Sequence, residues 1–236
     1  MRTESKNASH NISTLNESPL HAALKKRYSQ AYDLFEVLVD GFLVDIVRDD
    51  LLIEIQTQSV SKIKRKLAKL AETHRVRLVY PIAREKWIVK QSRGGKKQLS
   101  RRKSPKRGII EHVFDELVYI PHLMADPNFS LEVLLIREEE IRRHGRRRRR
   151  RGGWGTHERR LLDIVDRRVF ESPADLLALI PDDLAEPFTT ADIAAAIGRP
   201  RPLAQQMAYC LREMGALTKV GQRGKAYLYE RSTGLK

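Results

Sequence analysis

Residues 33–57 read DLFEVLVDGFLVDIVRDDLLIEIQT, and their pattern decides the fold. Three short runs rich in Val, Leu, Ile and Phe are separated by Asp40-Gly41, a strong hairpin signal, and by Asp49-Asp50, a weaker one. They are read as a three-strand antiparallel meander. If each turn takes two residues, facing residue numbers sum to 81 across the first turn and to 99 across the second. That register places Phe35, Val37, Val39, Phe42, Val44, Ile46, Leu51, Ile53 and Ile55 on one face, all apolar, to pack on a core beneath a flanking helix. The other face carries Leu34, Glu36, Leu38, Leu43, Asp45, Val47, Leu52, Glu54 and Gln56, so acids stand among apolar residues. Glu36 then faces Asp45, and Asp45 faces Glu54.

Directly opposed side chains hold their Cβ atoms about 5 Å apart, where like charges repel. Three carboxylates in a row therefore call for compensation. A hard divalent cation such as Mg²⁺ takes one or two carboxylates plus water and substrate phosphate, which fits Asp45 and Glu54 with Glu36 as a third acid. The bland reading is a solvent-exposed face. Against it, five of the nine residues there are Leu or Val.

Working outward, Ser18 and Pro19 open a helix with Leu20, Ala23, Leu24 and Tyr28 on one side. Ser61 is read as the cap of a helix KIKRKLAKLAETH, with Ile63, Leu67 and Leu70 inward and Lys62, Arg65, Lys66 and Lys69 outward. VRLVYPI and KWIVK read as two strands around a turn at 83–85, GIIEHVFDELVYI as a helix, and FSLEVLLIR as a strand ending the first domain near Ile141. The polar residues 1–17 read as a disordered tail.

This order of helix, three-strand meander, helix and strand, with Asp45 on the second strand and Glu54-Ile55-Gln56 on the third, resembles the PD-(D/E)xK nuclease superfamily over about residues 18–90. The segment IEIQTQS is similar to that of competence-associated nucleases. The resemblance implies a restriction-endonuclease-like α/β core, a mixed sheet flanked by helices. It also implies Mg²⁺ (or Mn²⁺) held by Asp45 and Glu54, with Gln56 standing where the family usually has the lysine that positions the attacking water. Glutamine can orient a water but supplies no positive charge, which Lys62 or Lys66 on the following helix could restore. His21 stands where family members often place an auxiliary acid, but as a lone histidine it is read as structural.

The chain of 236 residues has a net charge of +15. Residues 91–108 and 142–151 hold eight basic residues each and no acid, leaving 29 basic against 30 acidic residues elsewhere. Such segments suit contact with a polyanion, because each Lys or Arg on a phosphate releases counterions. The alternatives are a solvated linker or a localisation signal. They are read as a basic loop at 91–108 and an arginine-rich linker at 142–156.

Beyond the linker, 157–236 reads as a separate, mostly helical domain. HERRLLDIVDRRVF and SPADLLALI precede TTADIAAAIG, capped by Thr189 or Thr190 and stopped by Gly198. RPLAQQMAYCLREMG follows, then two strands around 222–224. This order resembles a winged helix-turn-helix. The resemblance implies a DNA-reading helix with Leu203, Met207, Cys210, Leu211 and Met214 buried. Arg199, Arg201, Gln205, Gln206 and Tyr209 are then left for DNA, and Arg223 and Lys225 at the wing for backbone phosphate. A winged helix used for protein contacts is the alternative.

With one cysteine there is no disulfide framework, no Cys/His cluster closes a structural zinc site, and no apolar stretch suits a membrane span or signal peptide. Glycine loops of the Walker or dinucleotide type are also absent. A cytoplasmic, metal-dependent endonuclease delivered to DNA by its C-terminal domain is the reading that results, with RNA and a homodimer left open. The competing reading is a non-catalytic DNA-binding regulator on a degenerate nuclease scaffold.

Overall fold

The computed structural model describes residues 17–145 and 153–233. Of the expected tail over 1–17 all but Glu17 lies outside them, as does the arginine run 146–151, whereas Glu17 is in place beside His21 and Lys25. Helix α1 spans Pro19–Tyr28, with the Ser18 hydroxyl accepting from the His21 N–H and Pro19 in the first turn. Strands β1 (Leu34–Val39), β2 (Phe42–Arg48) and β3 (Leu51–Ile55) form the meander in the expected register. Val37 pairs Val44 and Val39 pairs Phe42, then Ile46 pairs Ile53 and Arg48 pairs Leu51. Asp40 (φ 48°) and Gly41 (φ 81°) both take the left-handed conformation that a tight two-residue hairpin requires.

A 3-10 turn, Val60–Lys62, and helix α2, Lys64–Ala71, carry the chain to β4, Arg75–Gln91. Ser59 caps the 3-10 turn, and α2 starts after Ile63 with no side-chain cap, so Ser61 does not cap the helix. The two strands expected over 76–90 are one, with a bulge between Ala83 and Glu85 that bends the strand without ending it. β4 lies parallel to β3, as a strand–helix–strand crossover requires.

Part of the expected basic loop is ordered as β5, Gln98–Lys103, folded back antiparallel on β4. The helix expected over 108–120 is shorter: a 3-10 turn Ile110–Val113 runs into helix α3, Phe114–Leu117. Strand β6 runs from Phe129 to His144, parallel to β4. HERRLLDIVDRRVF is not a helix but most of β7, Trp154–Phe170, antiparallel to β6 at the sheet edge. Residues 142–144 and 154–156 belong to these paired strands rather than to a tether, so the expected boundary near Ile141 falls inside a hairpin. The physical reason is non-local: β6 has an open edge, and pairing with it outweighs the helical spacing of Leu161, Ile164 and Val165. The sheet order is β1-β2-β3-β4-β6-β7, with β5 also on β4, giving a mixed sheet flanked by helices.

The C-terminal part holds α4 (Pro173–Leu177), α5 (Thr190–Ala196), α6 (Arg201–Glu213) and the hairpin β8 (Leu217–Arg223) with β9 (Ala226–Arg231). Thr189 caps α5 and Gly198 (φ 62°) ends it. α1 covers one side of the sheet, where Leu20 and Leu24 pack with Ile46, Ile53, Ile55, Val79 and Leu134. Val44, Leu52 and the buried side of α2 join Phe114, Leu117, Met207 and Leu211 in a second core, so the C-terminal helices share a core with the N-terminal part. β3 and the middle of β2 are therefore buried on both faces, whereas β1 lies at the sheet edge with Leu34, Phe35 and Leu38 exposed, so the apolar face expected across all three strands is not wholly in the core. Among the described residues no helix is long and apolar enough to cross a membrane.

Candidate active site

The ladder between β2 and β3 stops at Ile46–Ile53, one residue short of Asp45 and Glu54. There the Asp45 carboxylate takes over: Oδ2 accepts the Ile55 N–H at 2.8 Å. Across β1, Glu36 sits at φ 54°, a conformation disfavoured for a residue with a Cβ, and breaks the pairing opposite Asp45. The strands open into a polar cavity of about 320 Å³ lined by Glu17, His21, Lys25, Glu36, Asp45, Glu54 and Gln56 among others.

Three basic side chains, His21, Lys25 and Lys66, meet the acids. His21 Nε2 lies 3.1 Å from Asp45 Oδ2, and its Nδ1 lies 2.5 Å from Glu17 Oε1. Lys66, from α2, reaches Leu43 O at 2.5 Å and stands in ion-pair contact with Glu54 Oε1. Burial alone would raise the Asp45 pKa, but the hydrogen bond and charge of His21, the Ile55 N–H and the charge of Lys66 hold it below the ordinary value. Glu54 is 5% exposed. Burial and the nearby Asp45 charge push its pKa up to about 7 against the pull of Lys66. Burial would lower the pKa of His21, yet Asp45 and Glu17 raise it. The surroundings thus push the two carboxylates in opposite directions, a feature of sites that do chemistry and also of structural ion-pair networks.

The structure brings Asp45, Glu54, Glu36 and Gln56 to one cavity, with Lys66 behind its wall in contact with Glu54, and leaves Lys62 outside it. Lys62 is exposed and bonded to Gln58 Oε1. Lys66, expected to face outward, turns inward instead. Glu36 lines the cavity with its Oε1 accepting from Lys25 Nζ at 2.9 Å. Gln56 lies at the rim with its amide turned onto its own loop: Oε1 accepts the Gln58 N–H at 3.2 Å and Nε2 donates to Ser59 O at 3.4 Å. The Glu17, His21 and Lys25 cluster was missed as a functional group. Its spacing of four along the chain puts all three on one side of the helix start, a signal that a lone-histidine reading discards.

Among the described residues no group of three His, Cys, Asp or Glu side chains is arranged to hold a metal. Asp45 and Glu54 nonetheless suit a hard divalent cation. Glu54 Oε1 is buried with Lys66 Nζ as its ion-pair partner, and the two carboxylates open on a polar cavity. On α6, Leu203, Met207, Cys210, Leu211 and Met214 are all buried. Arg199, Arg201, Gln205 and Tyr209 are exposed and Gln206 is half-buried. On the hairpin, Lys225 is exposed and Arg223 Nη2 is bound to Asp192 Oδ2 at 2.8 Å.

No solved structure matches the chain. It is 30% identical over 227 residues to an uncharacterized protein of Treponema pallidum (strain Nichols), covering 93% of this chain and 87% of that one. A family model described as a domain of unknown function, DUF8091, matches residues 18–171, a span that begins at the cap of α1 and ends one residue past β7. By that match, which covers the large mixed sheet and every cavity residue but Glu17, the chain belongs to the DUF8091 family.

Proposed function

We propose that this chain is a metal-dependent endonuclease of the PD-(D/E)xK type that hydrolyses phosphodiester bonds in DNA. The observation that carries it is the convergence of Asp45, Glu54 and Lys66 at the opening between β2 and β3. Asp45 and Glu54 would hold Mg²⁺ or Mn²⁺, which when bound polarises the phosphate and lowers the pKa of a water. His21 and the Ile55 N–H fix the orientation of Asp45 and keep it ionised. Lys66 offsets the second buried carboxylate and brings to the site the positive charge that Gln56 lacks. Gln56 is placed to orient a water only once its amide leaves the loop. The succession of α5, α6 and the β8–β9 hairpin supports a winged helix, with Arg201, Gln205 and Tyr209 on the outward side of α6 to face DNA. RNA and a homodimer are consistent with the same features, and a cytoplasmic setting accords with the absence of a membrane-crossing helix among the described residues.

One observation favours a second reading. The Gln56 amide is engaged in its own loop, as suits a DNA-binding regulator on a catalytically silent scaffold. The test is incubation of the protein and its Asp45→Ala variant with supercoiled plasmid and single-stranded DNA in Mg²⁺, Mn²⁺ or EDTA. Metal-dependent cutting lost in the variant is expected. No cutting by either, with salt-sensitive retention of the DNA, would leave the regulator.

A further inference from the structure

The two basic segments, some fifty residues apart in sequence, meet at one end of the sheet. β4 and β6 run parallel, so their C-terminal ends lie side by side, with Gln91 opposite Arg143. Beyond Gln91 the chain turns sharply, Gly95 N–H to Ser92 O at 2.8 Å, and returns as β5. Gly95 (φ 76°) is packed against the second segment: a Cβ there would meet Arg143 Nη2 at 2.5 Å. Arg143 Nε also donates to Gln91 Oε1 at 3.0 Å. The first basic segment is thereby a built hairpin locked onto β6, not a free loop.

All six residues of β5 are exposed. Some cations of this arm are committed: Arg101 to Glu139, Lys103 to Glu85, and Arg142 to Glu140. Arg101 and Lys103 also lie 5.2 Å from the Trp87 ring centre, and Lys90 lies 4.9 Å from that of Trp154. Arg93, Lys96, Lys97 and Arg102 have no acidic partner among the described residues and project from the hairpin. Unbalanced charge of one sign on a rigid, extended element is costly unless an anion meets it.

The arm shares an edge with the cavity. β3 and β5 both pair with the side of β4 away from β6: Ile55 opposite Val79, Lys103 opposite Trp87. The eight residue steps from Val79 to Trp87 span about 26 Å at 3.3 Å per residue. That is about 8 base pairs of duplex at 3.4 Å each. Only a polymeric anion reaches from one to the other. A lipid surface is less well met, because binding in its interface needs an apolar face and the hairpin exposes one large apolar side chain, Leu99.

We propose that the β4–β5 hairpin is a sequence-independent arm for the phosphate backbone of duplex nucleic acid, set about 8 base pairs from the carboxylate cavity. This extends the reading above by naming how the substrate is gripped, and its binding step does not depend on cleavage. The test uses full-length protein in EDTA and a fluorescein-labelled duplex of about 20 base pairs, with anisotropy followed from about 50 to 200 mM KCl. The variant Lys96→Gln/Lys97→Gln/Arg102→Gln changes only exposed positions. Its affinity should fall about tenfold to a hundredfold, and the slope of log K against log salt should drop by about 3, near 0.9 for each lost phosphate contact. Unchanged affinity and slope overturn the arm. So does tighter binding to phosphatidylserine-containing vesicles than to the duplex, lost in the variant, which assigns the hairpin to a lipid surface. Absence of cleavage by the wild type in Mg²⁺ removes the nuclease reading and leaves this measurement standing.

Discussion

Lys66 on α2 and Glu54 on β3 form an ion pair at the cavity wall, with side-chain exposures of 17% and 6%. Glu54 is thereby a buried carboxylate whose counter-charge comes from another element, while its sheet neighbour Asp45 repels it. Asp45 is in turn held by His21 and the Ile55 N–H. The burial of Glu54 beside Asp45 is a charge arrangement whose energetics can be measured by unfolding.

The pH dependence of stability follows from Glu54. Its folded pKa of about 7 stands above the ordinary 4.5. The folded state therefore binds more protons than the unfolded one between those values, and stability falls as pH rises through them, by on the order of 3 kcal/mol. His21, with its pKa raised, acts in the same direction, its contribution being lost as pH rises through its folded value. Urea unfolding of the metal-free protein at several pH values should show this decline, and Glu54→Gln should remove the larger part of it. A variant with the wild-type slope would mean that Glu54 ionises freely.

Replacing Lys66 by Met leaves Glu54 with no nearby cation. The cost should be about 3 kcal/mol near pH 8, where Glu54 is ionised. Near pH 5 Glu54 holds its proton, and the loss should shrink to about 1 kcal/mol for the bond to Leu43 O. A double-mutant cycle with Glu54→Gln isolates the pair, and coupling that is the same at both pH values would argue against the ion pair.

Arg159 on β7 ties the sheet edge to the cavity loop. Its guanidinium donates to Glu138, whose side chain is 0% exposed, and to Thr57 O at 2.9 Å. Arg159→Gln should cost about 3 kcal/mol by uncovering Glu138 with Lys86 alone beside it. The same change should raise amide exchange over residues 56–59. Pairing it with Glu138→Gln should restore much of the stability but not the protection of the loop.

Tyr28 donates its hydroxyl to Glu132 Oε2 at 2.7 Å, and Glu132 is 2% exposed. Burial, with Glu132 beside it, pushes the phenol pKa up to about 12, so Tyr28 remains a donor throughout the working range. Tyr28→Phe changes no packing volume of note and should cost about 2 kcal/mol, read as a lower urea midpoint with unchanged m.

Cys210 is fully buried on α6, and burial with the charge of Glu213 raises its thiol to about 12. It should resist iodoacetamide at pH 8 in the native protein and react at once in denaturant. Rapid native labelling would show that the α6 core opens readily.

Local chemistry made the meander legible. Asp40-Gly41 and Asp49-Asp50 dictate two-residue turns, and a turn sets the register of the strands on either side of it, so the pairing of the strands that carry Asp45 and Glu54 could be read from residue numbers, but not that the ladder stops one residue short of those two acids. The caps at Ser18 and Thr189 and the buried stripe of α6 are equally local. Tertiary structure decided the rest. HERRLLDIVDRRVF has helical spacing, yet it is a strand because β6, with its own apolar run, offers an edge to pair with. Lys66 and Lys62 look alike in sequence, but the placement of α2 on the sheet sends one to Glu54 and the other to Gln58. His21 joins Asp45 from 24 positions away only because α1 packs on Ile46 and Ile53. Turns and caps are settled by neighbours along the chain, whereas the counter-charges of a buried acid and the partner of an edge strand are settled by which surfaces exclude water together.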